Sequence, residues 1–138
     1  MKKPLEKKAM TASMTELLTK LIEFQNSWPD KWRPHIDIGD LRKPQNGEIS
    51  WYSDQFRTML ARIRSEGISL KPHVEKQIRD FAADAGKLGA RVQRTFHDET
   101  GADPRTYTSE IKQSFLSEGD NLAKRLDNII PQLEKVFR

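Results

Sequence analysis

Residues 72–96, PHVEKQIRDFAADAGKLGARVQRTF, carry the pattern that decides the fold. Apolar residues recur there at alternating steps of four and three, which places them along one face of a helix that packs against other helices. These residues are Val74, Ile78, Phe81, Ala85, Leu88 and Val92. Pro72 suits the first turn, because a proline there removes no intrahelical hydrogen bond. The stretch therefore predicts a long helix within a bundle.

Two further helices are predicted before this one. Apolar residues at helical spacing occur over residues 10–22 and again over residues 50–65. The first helix should end at Trp28, because Pro29 disfavours helical geometry in the residue before it. The second should have Gly67 beyond its C-terminus, where a glycine readily adopts the left-handed conformation.

A last helix is predicted with Asp103 as its cap, Pro104 in its first turn and an apolar stripe from Tyr107 to Val136. Two signals interrupt its apolar stripe, namely Gly119 with its polar neighbours, and Pro131, which lacks an amide hydrogen. Because the heptad phase continues across both, we expect one kinked helix. The fold class predicted is all-α, a four-helix bundle, or a five-helix bundle if the last helix breaks at Gly119.

A long connector, residues 28–49, joins the first two helices and contains three prolines and the turn dipeptide Asn46-Gly47. The three tryptophans of the chain lie in it or just after it. Trp, Tyr and Arg are the usual anchors of protein interfaces, so we predict a protein-binding surface here. Its residues are Trp28, Trp32, Arg33, Arg42, Trp51 and Tyr52. Alternatively, the tryptophans plug the end of the bundle and hold the connector down.

Composition narrows the class of protein. The chain has 138 residues, which suits a single domain, and no cysteine, which excludes disulfides, thiol nucleophiles and cysteine-based metal sites. No apolar run is long enough to span a membrane, and the N-terminus lacks the apolar core of a signal peptide, so we expect a cytoplasmic protein. Residues 1–8 contain four lysines and one glutamate, and should form a basic flexible tail.

The formal net charge of +4 suggests nucleic acid as an alternative partner. The candidate contacts are Arg57, Arg62, Arg64, Lys87, Arg91 and Arg94. Residues 53–60, SDQFRTML, resemble the Ser/Thr-x-Gln-apolar-Arg helix start of the small subunits of type III CRISPR effector complexes. The resemblance implies a basic helical bundle that lines a nucleic-acid channel without catalysis.

Gly86 and Gly89 lie in the third predicted helix, although glycine destabilises the interior of a helix. Their small size indicates that something approaches this helix closely. It could be another helix of the bundle, a helix of a partner or a nucleic-acid backbone.

Residues 91–97, RVQRTFH, place His97 six positions after Arg91. This spacing resembles the motif of the HEPN family, helical domains that are often RNases. The resemblance implies a composite site across a dimer, in which Arg91 and His97 assist phosphodiester cleavage. Val92 departs from the pattern, since a polar residue commonly follows the arginine in that family. The alternative is a solvated arginine and histidine beside core residues Val92 and Phe96.

Other chemistry has little support in the sequence. The three histidines lie in separate segments, and only His35, with Asp37 and Asp40, resembles a ligand cluster. No phosphate-binding glycine loop, dinucleotide fingerprint or Gly-x-Ser-x-Gly motif occurs. We therefore predict a non-catalytic bundle without metal or cofactor. It would be an adaptor, inhibitor, immunity-type protein or subunit of a larger assembly, with homo-oligomerisation left open.

Overall fold

A computed structural model describes residues 12–39, 45–101 and 108–136. In chain order the elements are α1 (Ala12–Ser27), a π-helical turn (Trp28–Trp32), α2 (Arg33–Asp37), α3 (Gln45–Ser65), α4 (Pro72–Gly101) and α5 (Ser109–Val136). The four longer helices, α1, α3, α4 and α5, pack against one another, and the described residues contain no strand. The prediction of an all-α, four-helix bundle is confirmed.

The predicted apolar seam of α4 lies in the core. All six of its residues, from Val74 to Val92, are buried. Near the centre of the bundle the ring of Phe24 packs edge-on against those of Trp32 and Phe81, with centroid distances of 4.9 and 5.1 Å. This aromatic cluster joins α1 and the turn that follows it to α4, and so fixes where the connector begins.

α1 ends at Ser27, immediately before Trp28, as predicted, but the chain does not leave helical geometry there. The chain stays helical as far as Asp37, passing through a π-helical turn in which the Arg33 amide donates to the carbonyl of Trp28. Pro29 occupies the start of this turn. Trp28 and Trp32 are one wide turn apart and both are buried, so their packing outweighs the local preference of a residue that precedes proline.

The start of α3 also differs from the prediction, whereas its end agrees. The helix begins at Gln45, so Asn46-Gly47 is helical and does not form a turn. At the other end Gly67 has a φ of 79°. Its amide donates to the carbonyl of Arg64, and the next amide, of Ile68, donates to the carbonyl of Ile63. This pair of bonds is a Schellman motif, which explains the need for glycine at this position.

The last helix is continuous. α5 runs from Ser109 to Val136 through both Gly119 and Pro131, as the unbroken heptad phase predicts. Residues 1–8, Arg42 and the predicted cap Asp103 lie outside the described residues.

Close approach of α3 and α4 accounts for the two glycines in the middle of α4. A Cβ on Gly86 would lie 2.8 Å from Ser53 Oγ, and one on Gly89 would lie 2.9 Å from the backbone nitrogen of Ser50. The hydroxyl of Ser53 donates a 2.7 Å hydrogen bond to the carbonyl of Ala82 across the same seam. Of the three explanations for these glycines, tight packing within the bundle is therefore the one observed.

Candidate functional site

Two of the three tryptophans are core residues. Trp28 is 2% exposed and Trp32 is fully buried. Each indole N–H nevertheless has a carboxylate acceptor, Asp120 Oδ1 at 2.7 Å for Trp28 and Glu48 Oε1 at 3.0 Å for Trp32. The alternative reading, in which tryptophans plug the bundle and hold the connector down, describes these two. Their side chains are out of reach of a partner in this conformation.

Arg33 fastens the start of the connector to α5. Its Nε donates to Asp120 Oδ1 at 3.0 Å, and its Nη2 lies 3.3 Å from Oδ2 of the same carboxylate. The hydrogen bond from Arg33 lowers the pKa of Asp120 against the opposing effect of burial, and the bond from Trp28 adds to the lowering. The hydrogen bond to Asp120 and the charge of its carboxylate in turn raise the pKa of Arg33. Arg33 therefore has a structural partner within the chain.

Trp51 is the exception among the tryptophans, because 46% of its surface is exposed. It lies on α3, where the ammonium of Lys20 from α1 is 5.6 Å from its ring centroid. The ring of Tyr52 packs against it edge-on, with centroids 4.9 Å apart. A cation over one face and an aromatic edge both restrict an indole that solvent still reaches.

Tyr52 connects this exposed indole to the core. Its ring contacts both Phe24 and Trp32, while its hydroxyl donates a 3.0 Å hydrogen bond to Glu23 Oε1. Partial burial raises the pKa of Tyr52 to about 12, and the Glu23 carboxylate contributes to the same shift. The phenol is therefore neutral at physiological pH and acts as a hydrogen-bond donor.

We call the surface formed by Lys20, Glu23, Glu48, Trp51 and Tyr52 the Trp51 surface. Its charges occur in opposite pairs, since Lys20 lies 3.8 Å from Glu23, and Glu48 lies 3.6 Å from Lys31. An exposed aromatic surrounded by charged side chains has the composition of an interface centre with a polar rim. The arrangement provides contacts for binding.

Two of the six predicted nucleic-acid contacts have a carboxylate partner within the chain. Arg64 pairs with Glu75, and Arg91 pairs with Glu118 while lying over the ring of Phe115. The remaining four are exposed and have no ion pair with any described residue. They are Arg57, Arg62, Lys87 and Arg94.

The predicted HEPN-like pair is only partly described. The guanidinium of Arg91 contacts Glu118 and donates to Ser114 Oγ at 3.1 Å, so α5 holds it in place. The side chain of His97 lies outside the described residues. For metals, the described part of the chain contains no group of three or more side chains that could hold an ion. Asp40, the third member of the predicted cluster, is not described.

Sequence reasoning missed the residues that complete the Trp51 surface. Lys20 and Glu23 are polar positions on an amphipathic helix, where they resemble any solvated residue. Their proximity to Trp51 depends on how α1 packs against α3. Sequence spacing alone gives no signal of that pairing.

Comparisons of the chain with models of protein families, with curated proteins and with solved structures give no match. The local resemblances in residues 53–60 and 91–97 are thus not accompanied by similarity over the chain. Among the described helices, none combines the length and apolar character that crossing a membrane requires.

Proposed function

We propose that this protein is a non-catalytic helical bundle that binds a protein partner through the Trp51 surface. The observation that carries the proposal is the exposure of Trp51, at 46%, beside two tryptophans that the same fold buries. Trp is the side chain most often found as an energetic anchor of interfaces, and its contact with water is unfavourable. A partner that covers Trp51 would remove that contact.

The surroundings of Trp51 favour a preformed anchor. Lys20 and Tyr52 restrict the indole before any partner arrives, so less side-chain freedom is lost on binding. The paired charges of Glu23 and Glu48 form a rim that can remain hydrated in the complex. Rims of this kind contribute to specificity and association rate more than to affinity.

The test compares Trp51→Ala with Ile38→Ala. Ile38 is a suitable control because it is the other large apolar residue exposed in the described chain, at 74%. The wild type and both variants are immobilised and used to capture proteins from a lysate of cells that express the protein. The captured proteins are quantified, and each candidate partner is then purified. We expect Trp51→Ala to weaken the direct interaction by about 2 kcal/mol or more, the usual effect of losing an anchor, and Ile38→Ala to leave it unchanged.

Two results would count against the proposal. One is an affinity that Trp51→Ala leaves unchanged while circular dichroism shows an intact fold. The other is an equal loss in both variants, which would indicate general apolar stickiness.

A second candidate function is contact with a nucleic-acid backbone, and one observation favours it. Four of the predicted contacts are exposed without an ion pair to any described residue, namely Arg57, Arg62, Lys87 and Arg94. Cations of this kind release the counterions of phosphates on binding. Arg57 lies over the seam between α3 and α4, with its Nη2 3.4 Å from where a Cβ of Gly86 would sit.

Fluorescence anisotropy with labelled single- and double-stranded DNA and RNA tests this candidate. Affinity should fall by orders of magnitude between about 50 and 200 mM salt, because the slope scales with the number of phosphates contacted. Replacing these four cations with glutamine should abolish binding, whereas Trp51→Ala should not alter it. Absence of binding at the lower salt concentration would eliminate this function.

A further inference from the structure

A cavity of about 460 Å³ opens at the end of the bundle where α4 begins. Three parts of the chain line it: the loop segment Ser69–Lys71, the first turn of α4 with His73 and Val74, and the last turns of α5 with Gln132 and Lys135. Its volume lies within the range of about 300–1,000 Å³ that small-molecule sites commonly have. It is separate from the Trp51 surface, since none of the lining residues belongs to that surface.

The bottom of the cavity is apolar and ordered. Leu70 and Val74 belong to the hydrophobic core, being 5% and 2% exposed, and the lining is more apolar than polar. On the α5 side Gln132 has a defined orientation, because its Nε2 donates to Gln77 Oε1 at 3.0 Å and to the carbonyl of Asn128 at 3.1 Å. Its Oε1 therefore faces His73 Nε2, 3.1 Å away, and fixes that ring as part of the wall.

The rim carries positive charge that no carboxylate of the lining neutralises. Lys71 and Lys135 are exposed and have no ion pair with any described residue. Glu75, one helical turn after Lys71, pairs with Arg64 and Arg79 instead. No Asp or Glu is among the residues that line the cavity.

The groove between the middle of α4 and α5 makes a useful contrast. It has a volume of about 340 Å³, and its lining includes Asp84 and Glu118 together with Lys87 and Arg125. Arg125 donates to Asp84 Oδ2 at 2.7 Å, and Glu118 pairs with Arg91. Positive and negative charges are balanced there, whereas the cavity at the end of the bundle presents cations alone.

We propose that this end cavity binds a small organic anion that combines an apolar body with one negatively charged group. The apolar part would cover Leu70 and Val74, and the anionic group would lie between Lys71 and Lys135. Both features are required together, because exposed lysines alone attract anions only weakly and an apolar hollow alone does not select charge.

Titration with naphthalenesulfonate, followed by heteronuclear NMR of the full chain, tests the proposal. Binding should shift the amide resonances of residues 69–71, 73–74 and 132–135, Pro72 having no amide hydrogen. Methanesulfonate, which has the charge without the ring, should bind about tenfold or more weakly, because it covers no apolar surface. The double variant Lys71→Ala/Lys135→Ala should weaken naphthalenesulfonate binding by about fivefold or more through loss of both cations.

The matched control is the double variant Lys76→Ala/Lys124→Ala. It removes the same formal charge, at one position on α4 and one on α5, but leaves the cavity lining intact. It should bind the probe as the wild type does, which separates a local site from general attraction to a basic protein. Equal affinities in the two double variants, resonance shifts elsewhere in the bundle, or methanesulfonate binding as tightly as naphthalenesulfonate would each overturn the proposal.

Discussion

The indole of Trp28 occupies the space that a side chain at position 119 would need. A Cβ built on Gly119 would overlap with three carbons of the six-membered ring of Trp28. The next residue, Asp120, accepts the hydrogen bond of the indole N–H at 2.7 Å. The absence of a side chain at Gly119 therefore leaves room for the indole of Trp28 in the middle of a continuous helix.

Gly119→Ala should destabilise the protein. Alanine favours the helix by about 1 kcal/mol relative to glycine, but the methyl group would displace Trp28 from the core. Loss of a buried tryptophan commonly costs about 3–5 kcal/mol, so we expect a net loss of roughly 2–4 kcal/mol in the free energy of unfolding. Urea denaturation followed by circular dichroism measures this change.

Gly47→Ala provides the control for that substitution. Gly47 is also in a helix but is exposed, and a Cβ there would meet only Gln93 Nε2, at 3.8 Å. We expect a gain of up to about 1 kcal/mol from helix propensity alone. Equal effects at positions 47 and 119 would contradict the role assigned to Gly119.

The glycines between α3 and α4 should differ in how they respond to a second substitution. Gly86→Ala would clash mainly with the hydroxyl of Ser53, whereas Gly89→Ala would clash with the backbone of Ser50 as well as with its hydroxyl. In double-mutant cycles, Ser53→Ala should therefore recover about 1 kcal/mol of the loss caused by Gly86→Ala. Ser50→Ala should recover little of the loss caused by Gly89→Ala. Equal coupling energies in the two pairs would contradict the distinction between a clash with a side-chain hydroxyl at Gly86 and a clash with the backbone at Gly89.

The helical seams could be predicted from the sequence because burial of a heptad face depends on spacing within one helix. The seam from Val74 to Val92 is an example. The path of the connector could not be predicted in this way. Pro29 disfavours helical geometry at Trp28, but the chain remains helical there because the buried indoles of Trp28 and Trp32 make contacts with distant helices.

The same physical reason limits what the sequence says about the candidate site. Three tryptophans close together in sequence look equivalent. In the fold Trp28 packs where Gly119 leaves room for its ring, whereas Trp51 lies beside the ammonium of Lys20 with 46% of its surface exposed. The apolar floor of the end cavity similarly combines Leu70 from the loop before α4 with Val74 from its first turn, and tertiary packing brings Lys135 of α5 to the rim.

Arg33→Ala should raise the pKa of Asp120. The hydrogen bond from Arg33 is the main cause that keeps this pKa below its ordinary value. A carboxyl with a lowered pKa in the folded state contributes stability above its unfolded pKa of about 3.9, and the contribution is lost as pH falls through the folded value. The variant should therefore lose less stability than the wild type between about pH 5 and the folded pKa.

Carboxyl titrations by NMR measure this shift directly. Asp80 is the internal control, since the pKa of its carboxyl is lowered by a hydrogen bond from Lys76 and has no contribution from Arg33. If Arg33→Ala leaves the pKa of Asp120 unchanged, the hydrogen bond from Trp28 alone is sufficient to lower it, and the prediction is wrong.

Tyr52 should make the fold sensitive to high pH. Its pKa is raised to about 12, first by burial and then by the bond to Glu23, so the folded protein retains a proton that the unfolded chain releases near pH 10. Stability is then complete below about pH 10 and falls as pH rises towards about 12. Tyr52→Phe should remove this component while costing about 1 kcal/mol at neutral pH for the lost hydrogen bond. The measurement is a pH titration of phenolate absorbance in the wild type, which has two tyrosines, and in the variant. The titration step near pH 12 should be present in the wild type and absent from the variant. A wild type in which both tyrosines titrate near pH 10 would contradict the buried, hydrogen-bonded phenol.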